Sequence, residues 1–168
     1  MHVPDGFINA SVSAATGVIS FGTLWAYIRS ASSLIADKFI ALTGMMTALI
    51  FVLQMINFPV AAGTSGHLLG GALAVIVLGP RLGLICLSVV VIIQSLLFAD
   101  GGLSALGINV MNMAIVTSVT AWVVVKYWIK FIGKTSSSLI VVSVLSGIVS
   151  VVFLSLIHIS EPTRPRSI

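Results

Sequence analysis

Met1 and His2 open the chain, and a second histidine, His67, closes the run Gly63-Thr64-Ser65-Gly66-His67. A free amino terminus, the amide nitrogen of residue 2 and the His2 imidazole can close two chelate rings around one metal ion. The imidazole of His67 can fill the fourth position if the fold brings it there. Four nitrogens in a plane suit Ni(II) or Cu(II). Binding requires the amine, with an ordinary pKa of about 8, and the imidazole, about 6.5, to give up their protons. The amide must ionise too, which Ni(II) and Cu(II) promote better than Zn(II) or Mg(II). Pro4-Asp5-Gly6 reads as a turn that folds the terminus back, and Asp5 could support an imidazole N–H from behind. The plainer alternatives are a frayed His2, an Asp5 that only caps a helix, and a His67 satisfied by a backbone carbonyl.

These residues need elements to hold them, and composition says where those elements lie. Of the 168 residues, 58% are hydrophobic and 7% are charged, too little polar surface to cover a water-soluble globule of this size. The chain therefore reads as an all-α, polytopic bundle of transmembrane helices. Its net charge of +4 is small and patterned along the chain, which points to membrane topology and away from nucleic acid. The lone Cys86, inside an apolar run, excludes an internal disulfide and a cysteine-based zinc site, and reads as a small buried hydrophobe. No basic stretch, apolar core and small-residue cleavage site open the chain in that order, so Met1 itself is expected to be the mature terminus.

Apolar runs of helical length fall at 7–28, 39–58, 82–98, 103–128 and 137–157, each near the ~20 residues that cross the hydrocarbon. A shorter run, 68–79, ends at Pro80 and covers only about 18 Å as a helix. The preceding segment 59–67 must then supply the remaining depth as non-helical chain. Such backbone is tolerated only where protein or a polar cavity satisfies it. His67 is thus expected below the membrane surface, in the first turn of the short helix. Six segments are visible, and by alternate crossings Arg29, Lys38, Arg81, Lys126, Lys130 and Lys134 share one side, the cytoplasmic one by the positive-inside rule. Met1, His2, Asp5, Asp100 and the segment before His67 share the other. The expected location is the cell (plasma or inner) membrane with the amino terminus outside.

Gln54, Asn57, Gln94, Asn109 and Asn112 are amides within or beside apolar spans, where hydrogen bonds between helices are the ordinary role. Asn109 and Asn112 share a helix face and could line a cavity floor or hold the 59–67 segment. Met45, Met46, Met55, Met111 and Met113 offer soft sulfur but read as packing. Gly44 and Ala48 form a small-xxx-small pair that admits another helix. The end of the chain breaks composition: residues 155–168, with His158, Arg164 and Arg166, resemble read-through of a vector. Residues 1–154 are expected to be the native membrane domain, truncated by at least one carboxyl-terminal helix.

Met1-His2-Val3-Pro4-Asp5-Gly6-Phe7, the stretch from Gln54 to Val60, the run from Gly63 to Gly71 and Leu97-Phe98-Ala99-Asp100-Gly101-Gly102 together resemble the CbiM/NikM family. These are the substrate-binding membrane subunits of cobalt and nickel energy-coupling-factor transporters. The resemblance spans nearly all of residues 1–153. It implies a seven-helix subunit whose extra amino-terminal helix brings the chain terminus into the site. By position it implies the Met1 amine, the His2 amide nitrogen and imidazole and the His67 imidazole as metal ligands, with Asp5, Asn57, Ser65, Asn109 and Asn112 as candidate supporting residues.

It also implies no permanent cofactor, only transported Ni(II) or Co(II). The implied partners are a transmembrane coupling subunit, two ATP-binding subunits and a small accessory membrane subunit, with Gly44 and Ala48 as contacts. The full phosphate loop Gly-x-x-x-x-Gly-Lys-Ser/Thr is absent, since Gly133-Lys134-Thr135 has Trp128 where its first glycine would stand, so ATP hydrolysis is expected elsewhere and the chain is not expected to be an enzyme. The rival is an intramembrane serine protease. Gly63-Thr64-Ser65-Gly66 fits a G-x-S-G nucleophile, with Ser65 at a helix start, but its base would have to be His158. A passive channel is a third reading, one that needs no ATPase partners.

Overall fold

In a computed structural model the described residues are 2–31, 37–56, 58–61, 64–133 and 135–160. Helix α1 (Ala10–Ala31) begins where the Asn9 carboxamide oxygen accepts the Val12 N–H at 2.8 Å, an N-cap. The expected start at residue 7 gives way because residues before Asn9 are drawn into contacts described below. Helix α2 (Asp37–Met55) follows, and then a short antiparallel ribbon, β1 (Phe58–Ala61) with β2 (Thr64–Gly66), pairing Phe58 with Gly66 and Pro59 with Ser65. The non-helical segment expected at 59–67 thus satisfies part of its backbone by pairing with itself, which a buried loop must do.

Helix α3 (Gly71–Leu97) is broken at Gly79, whose φ of 80° and ψ of 169° are not helical, just before Pro80. In a straight helix Ala74 and Gly83 would lie roughly 13 Å apart. Here a Cβ on Gly83 would sit 3.0 Å from the Ala74 carbonyl carbon, and one on Gly70 3.5 Å from the Leu87 side chain. The chain has therefore turned back on itself, and α3 is a hairpin of a short arm (71–78) and a long one (80–97). Glycine permits the positive φ, and proline cannot continue the first arm. Helix α4 (Leu106–Val110) runs through a π-helical turn (Met111–Val116) into α5 (Thr117–Ile132), and α6 (Ser136–Ser160) returns beside it.

Helix α1 turns small and polar residues inward and large apolar ones outward. Along α1 the buried positions are Thr16, Ser20 and Ala31, while Val18 is 76% and Trp25 63% exposed. Small residues let the backbones meet: the Ser20 hydroxyl donates to the Gly107 carbonyl at 2.7 Å, and a Cβ on Gly107 would lie 2.5 Å from the Gly17 nitrogen. By length and composition three described helical stretches could cross a membrane, Ala10–Ala31, Gly71–Leu97 and Leu106–Ile132, with shorter apolar helices at Phe39–Met55 and Ser137–Val152. The core lies between α2, the two arms of α3 and the π-helical turn, around Ile50, Leu87, Val90, Val91 and Met113. Cys86 is buried there, accepting from the Thr47 hydroxyl.

Charge sorts to the two ends. The Arg81 guanidinium, at the tip of the α3 hairpin, donates to the Ser30 carbonyl beside Arg29. Lys126 lies over Trp122, and Lys130 over Phe131, towards the end of α5, which continues α4, and α4 runs the same way as α1, Ser13 bonding Ser104 and Ser20 bonding Gly107. Lys134 lies outside the described residues. His2, Asp5, His67 and Asp100 gather at the other end.

Candidate metal centre

The amino terminus is held as a hook over the loop between α3 and α4. Val3, only 4% exposed, packs on Ala105 and Ile108. A single side chain reads both halves of its backbone: Asn109 Oδ1 accepts the Val3 N–H at 2.8 Å, and Asn109 Nδ2 donates to the Val3 carbonyl at 3.1 Å. The Gly102 N–H donates to that same carbonyl at 2.9 Å. Asp5 Oδ1 then accepts from both the amide and the hydroxyl of Ser104, at 2.7 and 2.6 Å. These bonds hold the exposed Asp5 carboxyl below its ordinary range. Close backbone approach demands glycine: a Cβ on Gly102 would collide with the amide nitrogen of Asp5.

His67 arrives from the other direction. It leaves β2 and precedes Gly70, whose φ of 76° turns the chain into α3, so helix begins at Gly71 and not at His67 as expected. The reason is a pin: Gln54 Nε2, fully buried on α2, donates to the Leu69 carbonyl at 2.7 Å, and Leu69 is itself buried. Residues 67–70 are thereby kept out of the helix. His67 Nδ1 lies 3.1 Å from the Leu68 carbonyl, which favours a proton on that nitrogen and leaves Nε2 with its lone pair.

The two histidines, 65 positions apart, meet. Their rings stack with centroids 5.5 Å apart and planes 23° from parallel. Both nitrogens of His2 and Nε2 of His67 are buried without a hydrogen-bond partner. Burial, above all, pushes both imidazoles down, His2 to about 4; Asp100 opposes the fall at His2 and the Leu68 carbonyl opposes it at His67. Two neutral imidazoles with unused lone pairs, side by side, are what a nitrogen-ligating divalent ion needs.

The remaining candidates divide. Met1 and Asn57 lie outside the described residues. Asp5 is engaged with Ser104, and the carboxylate beside His2 is instead Asp100, with Oδ2 3.6 Å from Nε2. Asn109 grips the hook and makes no bond among the described residues to the 59–67 segment. Asn112 is buried in the π-helical turn with both amide atoms unpartnered, as are those of Gln94. Ser65 lies in β2, paired opposite Pro59, and not at the helix start a nucleophile would use. Sequence reasoning missed Asp100, Gly101, Gly102 and Ser104 as parts of the site. An acid followed by two glycines, between spans and on the histidine side by parity, was the available signal. Among the described residues no group of three or more His, Cys, Asp or Glu is set to share one ion, so side chains here offer a pair of imidazoles.

Residues 2–162 match the family model for the cobalt uptake substrate-specific transmembrane region, CbiM. The chain belongs to the CbiM family. A relative named for nickel transport, NikMN of Archaeoglobus fulgidus, is 47% identical over 69% of this chain and 38% of its own length. The cobalt transport protein CbiM of Roseiflexus sp. is 36% identical over 75% of this chain and 51% of its own. This CbiM family member thus spans well under two-thirds of either relative. The crystal structure of a truncated transition metal transporter superposes with a TM-score of 0.80 and 27% identity, over 93% of this chain and 71% of that one.

Proposed function

We propose that this chain is the ion-capturing subunit of a Ni(II) or Co(II) uptake system of the energy-coupling-factor type. The ion is cargo, taken by the Met1 amine, the His2 amide nitrogen and imidazole and the His67 imidazole on the outer face, and passed inward. The observation that carries this reading is the stacked His2–His67 pair with three buried nitrogens lacking partners. Buried polar nitrogens without partners are costly, by about 1–3 kcal/mol each, and an ion bound at His2 Nδ1 and His67 Nε2 removes the cost at those two. The collection of cationic residues at the opposite end supports a multi-pass placement in the cell membrane with the amino terminus outside, in six segments counting each arm of α3.

Inward release draws on partners: a transmembrane coupling subunit, a pair of ATP-binding subunits and a small accessory membrane subunit. Gly44, with open space around its Cβ position, and Ala48 line an apolar groove with Ile40, Thr47 and Phe51 that suits a coupling helix. Family names cover both metals, and planar nitrogens lean toward Ni(II).

Calorimetric titration of the purified chain, its terminus freed of any tag, with Ni(II) and Co(II) tests the reading. Binding should vanish in His2→Ala, fall sharply in His67→Ala, and vanish when residues are added ahead of Met1. Full affinity in the extended chain would falsify the chelate.

A further inference from the structure

One acid beside this site has no place among the proposed ligands. Asp100 lies in the turn after α3, where Ala99 has a φ of 52° and Gly101 one of 99°. Its N–H donates to the Gln94 carbonyl at 3.1 Å and its carbonyl accepts the Ser95 hydroxyl at 3.4 Å, so the backbone that carries the carboxylate is fixed. Gly101 leaves the space that the histidine fills: a Cβ there would stand 3.1 Å from His2 Cβ and 3.2 Å from His2 Nδ1. The His2 side chain is 4% exposed and that of Asp100 34%, so the carboxylate bridges the buried ring and solvent.

We propose that Asp100 is a positioning and charge-balancing residue for the metal site, acting through His2. This role rests on the chelate reading above. Of the two ring nitrogens only Nδ1 can close a six-membered ring with the amide nitrogen of its own residue, so Nε2 must carry the proton. Asp100 Oδ2 stands on the Nε2 side at 3.6 Å, longer than a hydrogen bond but within a small ring movement of one. A carboxylate accepting from Nε2–H holds the ring in that tautomer and makes Nδ1 a better donor. Charge gives the second role. A divalent ion bound by one ionised amide and three neutral nitrogens leaves one positive charge in a buried site. The Asp100 carboxylate cancels it, so the loaded site carries no net charge out of water. Asp5 takes no such part, because its carboxylate is spent on Ser104.

The test separates charge from position. In the full chain without metal, nitrogen NMR of His2 should report the Nε2–H tautomer in the wild type and in Asp100→Asn, whose amide oxygen can still accept, and a mixture in Asp100→Ala. Titration with Ni(II) chloride should show affinity about 10–100-fold lower in Asp100→Asn and lower again in Asp100→Ala, with unchanged helical circular dichroism. An Nδ1–H tautomer in the wild type, or wild-type affinity in both variants, overturns the proposal. If His2→Ala binds as well as the wild type, the chelate reading itself fails and the charge role with it. The tautomer is read without metal, so it still decides whether Asp100 orients the ring.

Discussion

Asp5 and Ser104, separated by 99 positions, form a two-pronged latch in which one carboxylate oxygen takes both the amide and the hydroxyl of the serine. The latch ties the amino-terminal hook to the loop that carries Asp100. Asp5→Ala should therefore loosen the hook and lower Ni(II) affinity by about tenfold, the low end for residues that orient ligands. Calorimetry on Asp5→Ala, with Asp5→Asn expected to fall between it and the wild type, checks this; unchanged affinity in both would remove the latch from the site.

The hairpin in α3 rests on Gly83, where a Cβ would lie 3.0–3.1 Å from the backbone of Ala74 and Val75. Backbone cannot step aside as a side-chain tip can. Gly83→Leu should destabilise the bundle by about 1–3 kcal/mol or more through overpacking. Gly44→Ala, with nothing within 4 Å, should leave stability unchanged. Thermal unfolding in detergent measures both, and equal melting temperatures for all three proteins would contradict the reversal at Gly79.

Gln54 holds Leu69 through a fully buried hydrogen bond of 2.7 Å. Replacing it by Met keeps the volume and orphans the Leu69 carbonyl, at a cost of about 1–3 kcal/mol. The consequence should be local. Hydrogen exchange is expected to rise in residues 67–71 while the rest of the bundle stays protected, and Ni(II) binding should weaken because His67 loses its fixed approach. Protection unchanged across that segment would count against the pin.

Acid should act on His2 later than on an ordinary histidine. Burial lowers its pKa from 6.5 to about 4, against the pull of Asp100. The unfolded chain then takes up the proton first, so the contribution of the neutral ring to stability is complete above 6.5 and is lost as pH falls through about 4. Histidine NMR on the metal-free protein should give a His2 midpoint near 4, displaced further down in Asp100→Asn. A midpoint of 6.5 would mean that the ring is not buried as described.

Much of this was legible in the sequence because the membrane imposes strict rules. Apolar length set the segments, and the break between 79 and 82 was readable from Gly79-Pro80, so the hairpin arms fall where a short and a long run were expected. Basic residues set which ends face alike, which puts His2 and His67 on one face from the sequence alone. The family motifs, being long contiguous strings, needed no structure either.

Contacts between distant segments were decided only by the tertiary structure. Composition contains nothing that tells Asp5 from Asp100, two acids on the same face; the turn after α3 gives Asp100 to His2 and leaves Asp5 to Ser104. Pattern placed His67 in a helix, but a hydrogen bond from Gln54 on another helix outweighs the modest helix preference of residues 67–70 and holds them out of it. Asn109 looked like one amide among five, and packing made it the residue that reads both sides of Val3. Periodicity and hydropathy are sums over neighbours along the chain, so the sequence determined the segments and their common face. Which donor meets which acceptor depends on sub-ångström packing between segments, and that only the folded chain decides.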